Sequence, residues 1–129
     1  MPTFERFEDI EAWKIARELV KEVYRITSRI PFSEDFRFKN QIRASAGSIM
    51  DNIAEGFERG GTQEFKQFLR YAKGSCGEVR SQLYRAIDCG HINQNEFDLL
   101  SQNANRISAM INGLIKYLTN TSYKGINYF

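Results

Sequence analysis

Histidine occurs once in this chain, and proline and cysteine only twice each. With His91 as the single histidine, the paired Glu-x-x-His motifs of a di-iron site cannot be assembled, and zinc finds too few His and Cys ligands at its usual spacings. The shortage of proline leaves long stretches free to be uninterrupted helix. Cys76 and Cys89 fall on one expected helix, where a rise of about 1.5 Å per residue separates them by roughly 20 Å, too far for a disulfide within the chain. No apolar run approaches the roughly 18 residues that a membrane span needs. The start, Met1-Pro2-Thr3-Phe4-Glu5, lacks the basic and apolar regions of a secretory signal. The expectation is a soluble cytoplasmic protein with no metal, no cofactor and no membrane contact.

An excess of charge of one sign is also missing. Eighteen basic residues face sixteen acidic ones, so only the distribution of charge can speak about partners. That distribution is uneven, with nine basic against five acidic residues between Arg37 and Arg85. Catalytic constellations are absent too. Gly60-Gly61 is not followed by the Gly-Lys-Ser/Thr of a phosphate loop, and no Ser, His and Asp set has a distinguishing context. Glu55 and Glu58 have the chemistry of an acid/base pair, which needs proximity and split pKa values; Glu55 reads more simply as a hydrogen-bonded structural residue near a helix C-terminus. A non-enzymatic protein is expected.

What the chain does contain is helical periodicity. Helix 1 is predicted over about Glu8 to Arg29, with Trp13, Val20, Tyr24 and Thr27 on one side, Ile15, Leu19 and Ile26 on the other, and Pro31 as its stop. Helix 2 is predicted from about Arg37 to Glu55, ending on Gly56 as a left-handed cap. Thr62 is placed as the cap of helix 3, whose Phe65, Leu69, Ala72, Cys76, Val79, Leu83 and Ala86 hold a 4-3 rhythm until Gly90. Asn93 and Glu96 fit a capping box for helix 4, with Ile92 and Phe97 as its hydrophobic staple. Its apolar positions are Phe97, Leu100, Ala104, Ile107, Ile111, Leu114 and Leu118. A second stripe holds Leu99, Met110 and Tyr117. Short connectors then predict an antiparallel up-down-up-down four-helix bundle over residues 1–120, followed by a tail over 121–129.

Two surfaces invite functional readings. On helix 2, a polar ladder of Gln41, Ser45, Ser48, Asn52 and Glu55 runs beside the apolar ladder Ile42, Ala46, Ile49 and Ile53, so that another backbone can come close. On helix 3, Lys66, Arg70, Lys73 and Arg80 recur on one side about 100° from the apolar seam, with Gly77 and Tyr84 completing the row. Gly74 and Gly77 each cost about 1 kcal/mol relative to alanine inside a helix, a cost that suggests close approach or a loosened helix. The bland reading of the basic row is a solvated face. The functional one is a phosphate-binding surface that Arg43 and Arg59 extend. The wide apolar faces of helices 1 and 4, at Ile15, Ile26, Leu99, Met110 and Tyr117, are expected to form an interface between copies.

The landmarks Trp13, Tyr24 and Pro31, the runs Gln41-Ile42-Arg43-Ala44, Ser48-Ile49 and Asn52-Ile53-Ala54-Glu55-Gly56, and then Glu64-Phe65, Phe68-Leu69, Ala72-Lys73-Gly74-Ser75, Glu78 and Gln82-Leu83 carry a resemblance over nearly the whole domain. The chain resembles the four-helix-bundle family encoded in intervening sequences of bacterial 23S rRNA genes, sometimes labelled ribosomal protein. The resemblance implies a homopentamer of bundles, related in fold to the accessory variability protein of diversity-generating retroelements, which binds nucleic acid and its reverse transcriptase. It implies no catalytic residue. Met50-Asp51 and Cys76-Gly77 depart from the family's pattern, and Asp51 adds a negative charge to a basic region. The expected function is therefore a homo-oligomer that binds structured RNA or DNA through a basic surface. A protein adaptor or structural module, with a reverse transcriptase or another protein as partner and no nucleic-acid contact, is the alternative.

Overall fold

The structure, a computed structural model, describes residues 4–121. It consists of α1 (Glu11–Thr27), α2 (Phe36–Glu58), α3 (Thr62–Asp88) and α4 (Gln94–Thr121), with single 3-10 turns at Phe7–Asp9 and Phe32–Glu34 and no strand among the described residues. Each helix packs on its sequence neighbours, and α4 also packs against α1. Of the tail expected over 121–129, Thr121 is the last residue of α4 and the rest lies outside the described residues.

The core follows the periodicity on three helices and refines it on the first. All seven apolar positions of α3, Phe65 to Ala86, are buried, as are Leu100, Ala104, Ile107, Ile111, Leu114 and Leu118 on α4. On α1 the buried line is Ala12, Ala16, Leu19, Val23 and Ile26. It runs between the two expected stripes, so Trp13, Ile15 and Val20 sit at the rim, packed against the core without being sealed in it. Two alanines let α1 approach its neighbours where larger side chains would hold it off. Before α1 the chain is extended at Ile10 (φ −77°, ψ 120°), which detaches the Phe7–Asp9 turn from the helix and starts α1 later than the predicted Glu8. That turn is pinned by an edge-to-face contact between Phe7 and Trp13, with ring centroids 5.1 Å apart.

Glycine chemistry at the α2–α3 junction differs from the expectation. Gly56 does not cap α2; the helix continues through it to Glu58, and the left-handed residue is Gly60 (φ 83°). Gly56 is glycine for a different reason. A Cβ built on it would fall 2.5 Å from Phe68 Cβ and 3.2 Å from a ring carbon of Phe65, so α3 crosses where only a hydrogen fits. Thr62 is not a cap either: the N-cap is Gly61, extended at φ −102° and ψ 142°, and Thr62 is the first residue inside α3. Gly90 (φ 78°) does end α3 in the left-handed region, as expected.

The start of α4 is the capping box read from the sequence. The Glu96 backbone N–H donates to Asn93 Oδ1 at 2.9 Å, and the Asn93 N–H donates to Glu96 Oε1 at 3.0 Å. The same carboxylate ties α4 to the end of α1, receiving Arg29 Nη1 at 2.5 Å and Nη2 at 2.9 Å. Those Arg29 hydrogen bonds, helped by the Asn93 N–H and the Arg29 and Arg25 charges, hold the Glu96 carboxyl down from its ordinary 4.5 to about 2, although partial burial works the other way. A second tie joins the connectors at this end: His91 Nε2 lies 2.9 Å from Asp35 Oδ2, and the imidazole stacks on Phe32 at 4.6 Å. This bond, above all, lowers the Asp35 carboxyl.

Two expectations follow from this packing. Gly56→Ala forces α2 and α3 apart and should cost about 1–3 kcal/mol, whereas Gly74→Ala, with nothing within 4 Å of the new carbon, should gain up to about 1 kcal/mol. Urea denaturation at matched m-values measures both. A carboxyl depressed on folding stabilises above its ordinary pKa and loses that contribution as the pH falls through the depressed value. The Glu96 tie is thus complete at neutral pH and fades between about pH 4.5 and 2. Thermal melts should show Glu96→Gln lowering Tm at pH 7, with the gap to the parent narrowing across that window.

Candidate functional site

Two rungs of the polar ladder of α2, Ser45 and Ser48, bond across to α3. Ser45 Oγ donates to the Gln41 carbonyl at 3.0 Å and accepts from Gln82 Nε2 at 3.1 Å. Ser48 Oγ accepts from both Ser75 Oγ at 3.0 Å and Asn52 Nδ2 at 2.9 Å. Small hydroxyl side chains bridge the two helices at short range, and Ser45 and Gln82 are themselves buried. Beside this seam, Gln41, Ala44, Ser45 and Ser48 from α2 and Glu78, Ser81, Gln82 and Arg85 from α3 line an open groove of about 490 Å³. The α3 half of this arrangement was missed in the sequence. Its signal was there in Ser75, Glu78, Gln82 and Arg85, which recur at 3-4 spacing on the side that faces α2.

The six cations proposed for a binding surface fall into two groups. Arg43 is spent on α1: its Nε donates to Thr27 Oγ1 at 2.8 Å, Nη2 donates to Ser28 Oγ at 3.2 Å, and the guanidinium lies 4.2 Å from the Tyr24 ring centre. Arg59 is paired with Glu55 at 2.9 Å, lies 4.0 Å from Glu64 and covers Phe68. The Glu55 hydrogen bond raises its pKa further. Lys66 corrects the expectation of an exposed row. It is only 6% exposed, and its Nζ lies 3.3 Å from Thr119 Oγ1 of α4. The second group is Arg70, Lys73 and Arg80, all exposed on α3 and without an ion pair to any described residue.

On α3, at 3.6 residues per turn, Lys73 and Arg80 point about 160–180° away from Gln82. Lys73 and Arg80 therefore stand on the side of α3 away from Gln82, and Arg70 lies about 120° from it. Tyr84 on the cation side meets Phe97 of α4 edge to face, with centroids 4.9 Å apart. The α4 positions on that same side, Ser101, Asn105, Ser108 and Asn112, are uncharged and carry hydroxyls and amides, a composition suited to phosphate and sugar contacts.

Among the residues expected at an interface between copies, Leu99 stands 51% exposed. Ile15, Met110 and Tyr117 are half-buried against the chain's own core. Ile26 has no exposed surface and belongs to the core, a correction that follows from the buried line of α1 running through it.

Groups able to do chemistry are few. No set of three His, Cys, Asp or Glu able to hold a metal ion occurs among the described residues. Burial pushes the Cys76 thiol up to about 12, only partly offset by the Arg80 charge, so it stays protonated at neutral pH; Cys89 is exposed. Glu55 accepts a hydrogen bond from Arg59, in keeping with its reading as a hydrogen-bonded structural residue. No described helix is long and apolar enough to cross a membrane.

Comparison with known proteins agrees with this architecture. The model of the family described as 23S rRNA-intervening sequence protein matches residues 8–113. A crystal structure of a protein of unknown function from the S23 ribosomal protein family of Bacteroides thetaiotaomicron VPI-5482 is similar, with a TM-score of 0.74 and 21% identity over 81% of this chain and 95% of that one. At that identity the likeness speaks for the fold alone. No curated protein matches at a significant level.

Proposed function

The chain belongs to the 23S rRNA-intervening sequence protein family, and on that footing we propose that it is a non-enzymatic, cytoplasmic, homo-oligomeric protein that binds nucleic acid through the outer face of α3. One observation carries the reading: Arg70, Lys73 and Arg80 are exposed and form no ion pair with a described residue, whereas Arg43, Arg59 and Lys66 are held by hydrogen bonds or ion pairs within the chain. Cations without an internal partner are free to meet phosphates, and the hydroxyl and amide row of α4 beside them adds neutral donors.

The reading takes the helices as an antiparallel up-down-up-down bundle. Ties between the end of α1 and the start of α4, through Arg29 and Glu96, and between the start of α3 and the end of α4, through Lys66 and Thr119, support that direction of travel. A homopentamer, the assembly implied by the resemblance, would present the cationic face five times and raise the formal charge from +2 per chain to +10. Contacts too weak singly then act together through effective concentration. The exposed Leu99 supports an interface on α4. A protein-binding module without nucleic-acid contact is the second reading, favoured by the exposed Ile30 of the α1–α2 connector and the exposed Phe36 at the start of α2.

Fluorescence anisotropy with labelled RNA and DNA tests the first reading. Binding should weaken steeply between 50 and 200 mM salt, on the order of tenfold or more. Arg70→Glu with Lys73→Glu should abolish it at unchanged helicity, and unchanged affinity in that folded variant would leave the protein-binding module as the better reading. Sedimentation should find a species heavier than one chain at micromolar concentration. Leu99→Glu should shift it toward monomer without lowering helicity; a monomeric parent protein would end the oligomer proposal.

A further inference from the structure

The cation row of α3 ends on an aromatic ring. Lys73, Arg80 and Tyr84 follow one another at intervals of seven and four residues, which places all three within about 40° on the helix surface and spreads them over roughly 16 Å of its length. Between Lys73 and Arg80 lies Gly77, exposed and with nothing within 4 Å of the place a Cβ would take, so the helix backbone is bare there. A ligand backbone can lie close to α3 along this stretch.

Tyr84 is 61% exposed, yet its ring is not loose. Phe97 holds it edge to face, and Phe97 is itself packed on the core. The other exposed aromatic rings are disposed differently. Tyr24 lies under the Arg43 guanidinium at 4.2 Å and Phe36 under Lys39 at 5.3 Å, so each already has a cation on it. Tyr71 stands against Phe68 on the side of α3 that faces the groove, about 160° from Lys73. Among the described residues, Tyr84 is thus the exposed ring that shares a face with the unpaired cations, and no described cation covers it. Asp88, one turn further on, places a negative charge after the ring and closes the row to phosphates beyond it.

We propose that Tyr84 is a stacking platform for an unpaired base whose neighbouring phosphates are held by Arg80 and Lys73, so that this face takes single-stranded segments or loops in preference to plain duplex. The inference rests on the nucleic-acid reading above. In a duplex the base faces are already stacked on one another, and a ring fixed on a helix surface has no base to meet. A strand with free bases offers a π-face for the ring and phosphates for the two cations at once.

The experiment uses the full chain at one salt concentration, with a twelve-nucleotide single strand carrying 2-aminopurine and the blunt duplex of the same sequence. Anisotropy should show the single strand bound about tenfold or more tighter than the duplex. Tyr84→Ala should weaken the single strand about tenfold, leave the duplex unchanged, and leave the slope of affinity against salt unaltered, since no phosphate contact is lost. Tyr84→Trp should restore binding. The 2-aminopurine should be quenched by the parent protein and by Tyr84→Trp but not by Tyr84→Ala. Circular dichroism confirms that each variant is folded. Salt-dependent binding with equal affinity for Tyr84→Ala, or a preference for duplex, overturns the stacking role while the phosphate reading stands. Absence of binding to either form overturns both.

Discussion

At Gly56 the backbone of α2 lies so close to α3 that one added carbon would fall 2.5 Å from Phe68 Cβ. That approach decides which residues the rest of the seam can hold. Further along, the seam holds small hydroxyls that bond across the gap, Ser48 to Ser75 and Ser45 to the Gln82 amide. A buried hydroxyl costs stability unless it is paired, so the seam is stable only in the register that pairs them. With α2 and α3 held in this register, the side of α3 away from α2 is left to α4 and to solvent. The cations stand there.

Much of this was legible in the sequence, and what was not shares a physical character. The start of α4 was readable because a capping box is local: Asn93 and Glu96 satisfy one another's backbone within three residues. The core face of α3 was readable because its rhythm is unbroken. Gly56 was misread because a left-handed cap and a close approach demand the same residue, and only the position of Phe68, twelve residues on, tells them apart. The buried line of α1 was blurred by Ala12 and Ala16, whose small side chains weigh little in a periodicity yet fill the tightest places. Lys66 was placed on the surface because its charge is evident and its surroundings are not; its burial depends on where the end of α4 lies, more than fifty residues away.

The cations of α3 share a face as their spacing predicts, but which cations are held by partners within the chain does not follow from spacing. Sequence spacing tells which cations share a face but not which have found partners. Arg43 and Arg59 are drawn into the fold by Thr27, Ser28 and Glu55, each within hydrogen-bonding distance. An exposed ion pair such as Arg59 with Glu55 contributes little to stability, typically under about 1 kcal/mol, yet it occupies a charge that a ligand would otherwise meet. What distinguishes Arg70, Lys73 and Arg80 is the lack of an acidic neighbour at i±3 or i±4 on their side of α3, since Glu64 and Glu78 both point toward α2.

The contact between Phe7 and Trp13 has a consequence for spectroscopy. Trp13 is the chain's single tryptophan, set at the rim of α1 with Arg17 5.8 Å from its ring centre and the Phe7–Asp9 turn against its edge. Indole emission excited near 295 nm therefore watches one corner of the molecule, where the incoming chain docks onto α1. A blue or red shift there signals docking or release of that turn. Among the described tyrosines, Tyr24 of α1, Tyr71 and Tyr84 of α3 and Tyr117 of α4, it is Tyr84 whose light samples the cationic side.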